Sequence, residues 1–127
     1  ILKKYYSNEV MIDADSTLIN LMFSNLIGNA VKYTLQGEIR IELSFSDQII
    51  FSICDTGIGI PKNDLGNLFK EFFRASNTIE KKIEGTGTGL NVVKQIVDAH
   101  GWKISAESPS GIGDNKNPGT KLLIYLK

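Results

Sequence analysis

The stretch Asn25-Leu-Ile-Gly-Asn-Ala-Val-Lys-Tyr-Thr34 constrains this chain more than any other. Its apolar spacing predicts the second half of a helix running from about Ser16 to Thr34, with Asp15 as a good N-cap. Stepping about 100° per residue, Asn25, Asn29, Lys32 and Tyr33 fall on one arc, while Phe23, Leu26, Ile27, Ala30 and Val31 fill most of the rest. Leu18 and Met22 precede the asparagines on that arc, so it reads as a pocket wall that is apolar at one end. Asparagine competes with the backbone for hydrogen bonds and adds nothing to helix propensity. Two of them in mid-helix therefore point to a purpose other than folding. A solvated stripe on an amphipathic helix is the competing reading.

The chain's 127 residues suit one domain with a single core. A formal net charge of zero gives no reason to expect nucleic acid or an acidic membrane surface as the main partner. The one cysteine, Cys54, cannot form an internal disulfide, which fits a reducing compartment. No apolar run approaches the roughly 20 residues of a membrane span, and no secretion signal is visible. Opening at Ile1 without an initiator Met, the sequence reads as an excerpt of a longer protein.

Along the chain, the apolar-rich Tyr5 to Ile12 reads as a short edge strand and its loop. Glu38 to Phe45 alternates strictly, as a half-buried strand does, and Ser46-Asp47 connects it tightly to a second strand, Gln48 to Cys54. These predict an antiparallel hairpin. Pro61 is a plausible first residue of a short helix through Leu68. Leu90, Val93, Ile96 and Val97 mark an amphipathic helix ending at His100-Gly101, a favourable basic-then-glycine stop. Trp102–Glu107 and Thr120–Leu126 read as strands joined by the polar loop 108–119. Helices alternating with mostly antiparallel strands predict a sheet covered by helices on one face.

Two glycine motifs carry the chemistry. Asp55-Thr-Gly-Ile-Gly-Ile-Pro61 leaves a strand. An ionised carboxylate only accepts hydrogen bonds, so Asp55 suits an exocyclic amine such as that of adenine. Gly57 and Gly59 would let the backbone approach a flat ring. An ordinary Asp-Thr-Gly turn is the alternative. Gly85-Thr-Gly-Thr-Gly89 opens the helix that begins near Leu90, where free N–H groups and the helix dipole favour an anion; a hinge without ligand is the alternative. Neither a Walker A loop nor a dinucleotide fingerprint fits, because the required Lys-Ser/Thr is absent and position 90 is Leu. Between the motifs, Phe69, Phe72 and Phe73 are expected to pack on the body, and Arg74 is the charge there that could reach a phosphate. His100 is expected to pack or serve the helix dipole, and Cys54 to be a small buried hydrophobe. No His or Cys cluster has metal-ligand spacing and no nucleophile elbow occurs.

The order of these signals is specific. An Asn-x3-Asn-Ala-x-Lys-Tyr-Thr helix, an Asp-x-Gly-x-Gly-Ile-Pro loop, a Phe-x2-Phe-x-Arg segment and a Gly-x-Gly-x-Gly-Leu loop follow one another. From about Asp13 to Leu126 the chain closely resembles the ATP-binding catalytic domain of two-component sensor histidine kinases, in the superfamily shared with gyrase, Hsp90 and MutL. These motifs match its N, G1, F and G2 boxes. The resemblance implies an α+β Bergerat fold: a two-layer sandwich with a mixed, mostly antiparallel sheet of about five strands, covered on one face by about three helices. A mobile ATP lid over about 75–89 belongs to that fold. The ligands implied are ATP and Mg²⁺.

Residue by residue, the resemblance implies that Asn29 ligates Mg²⁺ with Asn25 beside it, Lys32 meets phosphate oxygens and Tyr33 packs along the nucleotide. Asp55 would hold the adenine amine, supported by Thr120, directly or through water, with Gly57, Gly59 and Ile60 lining the adenine pocket. Arg74 would approach the γ-phosphate, and Gly85, Thr86, Gly87, Thr88, Gly89 and Leu90 would wrap the phosphates. Lys32 and Arg74 are the implied catalytic cations. Thr88 replaces the family's usual Leu, Asn91 stands where a small residue is common, and Leu35 replaces a usual proline.

The implied activity is phosphoryl transfer from ATP to a histidine on a separate dimerisation domain, with a response-regulator receiver downstream. The chain alone would be a cytoplasmic monomer unable to autophosphorylate, since His100 lacks an acceptor's His-Glu/Asp context. An ATP hydrolase of the same fold is the second possibility. It would place Glu at position 25 as general base, which Asn cannot replace. A non-catalytic nucleotide-binding module with an altered lid is the third.

Overall fold

The computed structural model describes the backbone of residues 2–5, and residues 12–34, 36–45, 47–70, 73, 75 and 89–126. Two α-helices and a short 3₁₀ helix accompany one five-stranded sheet among them. In chain order these are β1 (Leu2–Tyr5), α1 (Ser16–Tyr33), β2 (Ile39–Phe45), β3 (Ile49–Asp55), the 3₁₀ helix Lys62–Asn67, α2 (Gly89–Ala99), β4 (Lys103–Glu107) and β5 (Lys121–Leu126). The sheet order is β1-β2-β3-β5-β4, with β2, β3, β5 and β4 antiparallel and β1 added parallel to β2.

The expected hairpin is present, with Ile39 opposite Asp55 and Phe45 opposite Ile49. The edge strand aligned with β2 is Leu2–Tyr5, with Leu2 to Tyr5 opposite Ile39 to Glu42, and it meets the expected strand and loop at 5–12 only at Tyr5. Residues 6–11 lie outside the described residues. The short helix expected after Pro61 is present as a 3₁₀ helix, with Pro61 (ψ 141°) as its N-cap instead of its first residue. Leu18 and Met22 do not form an apolar pocket end; Met22 is 1% exposed in the core and Leu18 packs against it.

Both α-helices lie on one face of the sheet. Ile49, Phe51 and Ile53 of β3 stand directly opposite Leu126, Ile124 and Leu122 of β5, and all six are buried against Met22, Leu26, Val93, Ile96 and Val97. Period-two alternation in the strands and the 3.6-residue repeat in the helices meet there. Side chains of this size contribute about 1.5–3 kcal/mol each when fully buried.

The helix ends are specified locally. Asp15 is extended and its Oδ1 accepts from Leu18 N at 3.0 Å, an N-cap. At the end of α2, Gly101 takes φ +71°, while Gly101 N donates to Asp98 O and Trp102 N to Val97 O. That pair of bonds is a Schellman motif. His100 then does structural work: its ring stacks on Trp102 at 4.5 Å, Nδ1 donates to Ile96 O, and Nε2 accepts from Asp15 N at 3.2 Å. The ring thereby joins the end of α2 to the start of α1, consistent with its expected packing role. Cys54 is buried at 7% exposure, and burial pushes its thiol pKa up, as suits a small hydrophobe.

Candidate functional site

The C-terminal end of β3, the loop after it, the last turns of α1, the first turn of α2 and the start of β5 meet around a cavity of about 280 Å³. This is near the lower end of the about 300–1,000 Å³ usual for small-molecule pockets. Asn25, Asn29, Lys32 and Tyr33 line it from α1, confirming that the polar arc faces a cavity. The apolar wall comes instead from Ile53 and Leu122 of the sheet, Ile58 and Ile60 of the loop, and Leu68 after the 3₁₀ helix. The alternating strands signalled an inward face, but not which inward residues would flank Asp55.

At one end of the cavity stands Asp55. Its Oδ1 accepts from Gly57 N at 2.9 Å and from Thr120 N at 3.1 Å, while Asp55 N donates to Thr120 O at 2.9 Å. Burial raises the carboxyl pKa, and the two backbone donors partly offset that. Among the described residues both bonds fall on Oδ1, which leaves Oδ2 to a ligand donor. Thr120 supports Asp55 through its backbone, which needs no side-chain hydroxyl or bridging water.

The glycines of this loop answer to protein crowding. A Cβ on Gly57 would overlap the Tyr33 carbonyl oxygen, and Gly57 is not among the lining residues. Gly59 does line the cavity; it has φ +72°, and its Cβ would come 2.7 Å from Pro118 Cγ. Gly119 has φ +75° with no room for a Cβ against the Asp55 carbonyl, and its N–H donates to Gly57 O at 3.0 Å. Ser108 completes the clamp by accepting from Ile60 N at 3.1 Å and donating to Gly119 O at 2.7 Å. Gly119 and Ser108 were not singled out from sequence, since their importance lies in contacts across the chain.

At the other end, Asn25 and Asn29 face the start of α2. A Cβ on Gly89 would lie 3.2 Å from Asn25 Oδ1 and 3.7 Å from both amide atoms of Asn29. Asn25 Nδ2 donates to Leu21 O at 2.9 Å, so its oxygen is the atom turned toward Gly89. Gly89 and Leu90, which open α2, line the cavity, and a helix start favours an anion. Lys32 Nζ sits over the Tyr33 ring, 5.1 Å from its centroid, a cation–π contact. Leu90 and Phe73 line the same cavity. Arg74, Gly85, Thr86, Gly87, Thr88 and most of the expected lid at 75–89 lie outside the described residues, as does Phe72.

The cavity thus combines apolar lining with the Asp55 carboxylate at the end of β3, the Asn25 and Asn29 amides facing Gly89 at the start of α2, and Lys32 in the last turn of α1. The profile of the histidine kinase-, DNA gyrase B-, and HSP90-like ATPases matches residues 14–127. The chain belongs to this ATPase family. It is 35% identical over 109 residues to the sensor histidine kinase WalK of Bacillus subtilis, covering 83% of this chain and 18% of WalK. It is 32% identical over 118 residues to the autoinducer 2 sensor kinase/phosphatase LuxQ of Vibrio cholerae, covering 89% of this chain and 14% of LuxQ. Among solved structures, the mycobacterial sensor histidine kinase MprB superposes with a TM-score of 0.78 at 28% identity, covering 91% of this chain and 75% of that one. The chain therefore spans only 14–18% of the length of the two sensor kinases LuxQ and WalK.

Proposed function

We propose that this ATPase-family domain binds Mg-ATP and donates the γ-phosphoryl group to a histidine on a separate dimerisation domain, feeding two-component signalling. The observation that carries the reading is the two-ended cavity, with Asp55 at one end and the Asn25–Asn29–Gly89 junction at the other. Oδ2 of Asp55 accepts the adenine amine while Thr120 and Gly57 hold Oδ1. The ring lies between the apolar walls, which exclude water from that bond.

The donor set at the far end fits Mg²⁺. This hard cation prefers oxygen, keeps several waters and takes much of its ligand charge from substrate phosphates. Asn25 offers Oδ1 with its amide nitrogen already committed to Leu21 O, and Asn29 adds a second neutral amide. When bound, the cation offsets charge on the phosphates. Lys32 leaves the Tyr33 ring to meet a phosphate oxygen as a point charge, and the N–H groups at Gly89 and Leu90 receive another. Arg74 and Gly85 to Thr88 complete the phosphate site as the family resemblance implies. Phosphoryl transfer asks mainly for such positioning and charge stabilisation.

Hydrolysis of ATP by activated water needs a general base, and position 25 carries an amide that cannot accept a proton at neutral pH. Water is thereby disfavoured as acceptor; the family resemblance implies a protein histidine on a separate domain, so the domain alone does not autophosphorylate. The response regulator and a cytoplasmic location belong to the same proposal. Calorimetric titration of ATP with and without Mg²⁺ tests the site: Asn29→Ala removes the Mg²⁺-dependent part of the affinity, and unchanged Mg²⁺ dependence sinks this assignment.

A further inference from the structure

The Asn91 side chain reaches beyond its own helix and makes a bond that a small residue could not make. It occupies the third position of α2, two residues after Gly89. Its Nδ2 donates to Phe69 O at 3.2 Å, across 22 positions of sequence. Its Oδ1 accepts from Gln95 Nε2 at 2.7 Å, one helical turn on. The two bonds define the amide orientation, because a flipped Asn91 would oppose its oxygen to the Phe69 carbonyl and its NH₂ to the Gln95 donor.

This chain of bonds joins two walls of the cavity. Gly89 and Leu90 line it from α2, and Leu68, adjacent to Phe69, lines it from the other side. Packing of Val93, Ile96 and Val97 holds α2 onto the core. Apolar packing is non-directional, however, and resists sliding along the helix axis less well than a directed hydrogen bond does. The space at Gly89 is tight, with Asn25 Oδ1 only 3.2 Å from where a Cβ would be. A small shift of α2 therefore changes the metal and phosphate end first.

We propose that Asn91 is a positioning residue: oriented by Gln95, its tie to Phe69 O sets the start of α2 at the distance from Asn25 and Asn29 that receives the nucleotide's phosphates. The inference rests on the nucleotide reading of the cavity. It predicts that the tie matters for phosphate-bearing ligands and not for the nucleoside alone.

The test is calorimetric titration of MgADP and of adenosine into the chain and its Asn91→Ala, Gln95→Ala and doubly substituted forms, with thermal unfolding of each followed by circular dichroism. Loss of one neutral hydrogen bond predicts MgADP affinity about 3- to 10-fold weaker in Asn91→Ala, with adenosine affinity unchanged. Gln95→Ala weakens MgADP in the same direction by less, and adds nothing once Asn91 is Ala, the non-additivity expected of coupled groups. MgADP binding equal to the parent, independent effects of the two substitutions, or equal losses for MgADP and adenosine each overturn the positioning role. If Asn91→Ala does not fold, the exposed Gln95 decides: Gln95→Ala binding MgADP like the parent overturns it. A parent that binds no MgADP removes the nucleotide reading and this inference together, whereas a binding parent matched by its variants removes only the inference.

Discussion

At the scale of single residues, the burial of Asp55 sets its proposed role in ligand recognition against stability. Its folded pKa is raised above the ordinary 3.8, chiefly by burial. The native state thus holds a proton more tightly than the unfolded chain does. The stability contribution is fully present below the unfolded pKa and is lost as pH rises through the folded one. At neutral pH the buried charge destabilises, so Asp55→Asn, which keeps an acceptor for Gly57 and Thr120 N–H, should raise Tm at pH 7. The gain should vanish in acid, below the unfolded pKa, where Asp55 is neutral in both states. Adenine-nucleotide affinity should move the other way, falling about 10- to 100-fold with loss of a charged hydrogen-bond partner. In the parent, affinity should fall on acidification through a pKa above that of a solvated aspartate, a step missing from the Asn variant. Titrations across pH check both. Asn25, Asn29 and Asp55 were legible as candidates because their chemistry is unusual for their local structure. The need for Gly57 was legible only in part and that for Gly119 not at all, since the atoms that crowd them belong to Tyr33 and Asp55.

At the scale of elements, α1 serves core and cavity at once. Met22, Leu26 and Ala30 are buried beneath the helix, while Asn25 and Asn29 turn toward α2. Leu26 is 0% exposed and also lines the cavity. Leu26→Ala should destabilise the chain by about 2–5 kcal/mol, the range for a buried leucine truncation, measured by denaturant unfolding. The helix, the hairpin and the Schellman end of α2 followed from spacing and caps, which are local properties. The edge strand Leu2–Tyr5 did not: it carries two lysines, yet it aligns with Ile39–Glu42. Strand formation at an edge depends on partner and register more than on intrinsic preference. The piece after Pro61 likewise became a 3₁₀ helix in Lys-Asn-Asp-Leu-Gly-Asn, too short and glycine-interrupted for α-helical cooperativity to assert itself.

For the whole molecule, the proposed division of labour puts nucleotide and cations in this domain and the acceptor histidine elsewhere. The purified chain should bind ATP yet hydrolyse it slowly, since a positioned general base is typically worth about 10²–10⁴ in rate and position 25 offers none. Adding a histidine-bearing dimerisation domain should produce acid-labile phosphate on that domain, followed by radiolabel transfer from ATP. A substantial ATPase rate in the isolated chain would contradict the reading of Asn25, and tight ATP binding without transfer would favour a non-catalytic module.

By itself the sequence determined the fold class, the order of elements and the polar residues proposed to meet adenine, metal and phosphate, because amphipathic periods, caps and polar residues in mid-helix are written locally. Only the tertiary structure decided how they meet. It placed Thr120 and Ser108 around Asp55, set Gly89 against Asn25 and Asn29, parked Lys32 on Tyr33, and tied Asn91 to Phe69. Those relations join residues far apart in sequence or depend on side-chain direction within the packed sandwich. The same polar arc on the Asn25–Thr34 helix could have faced water; the sheet and α2 packed around it make it the wall of a site.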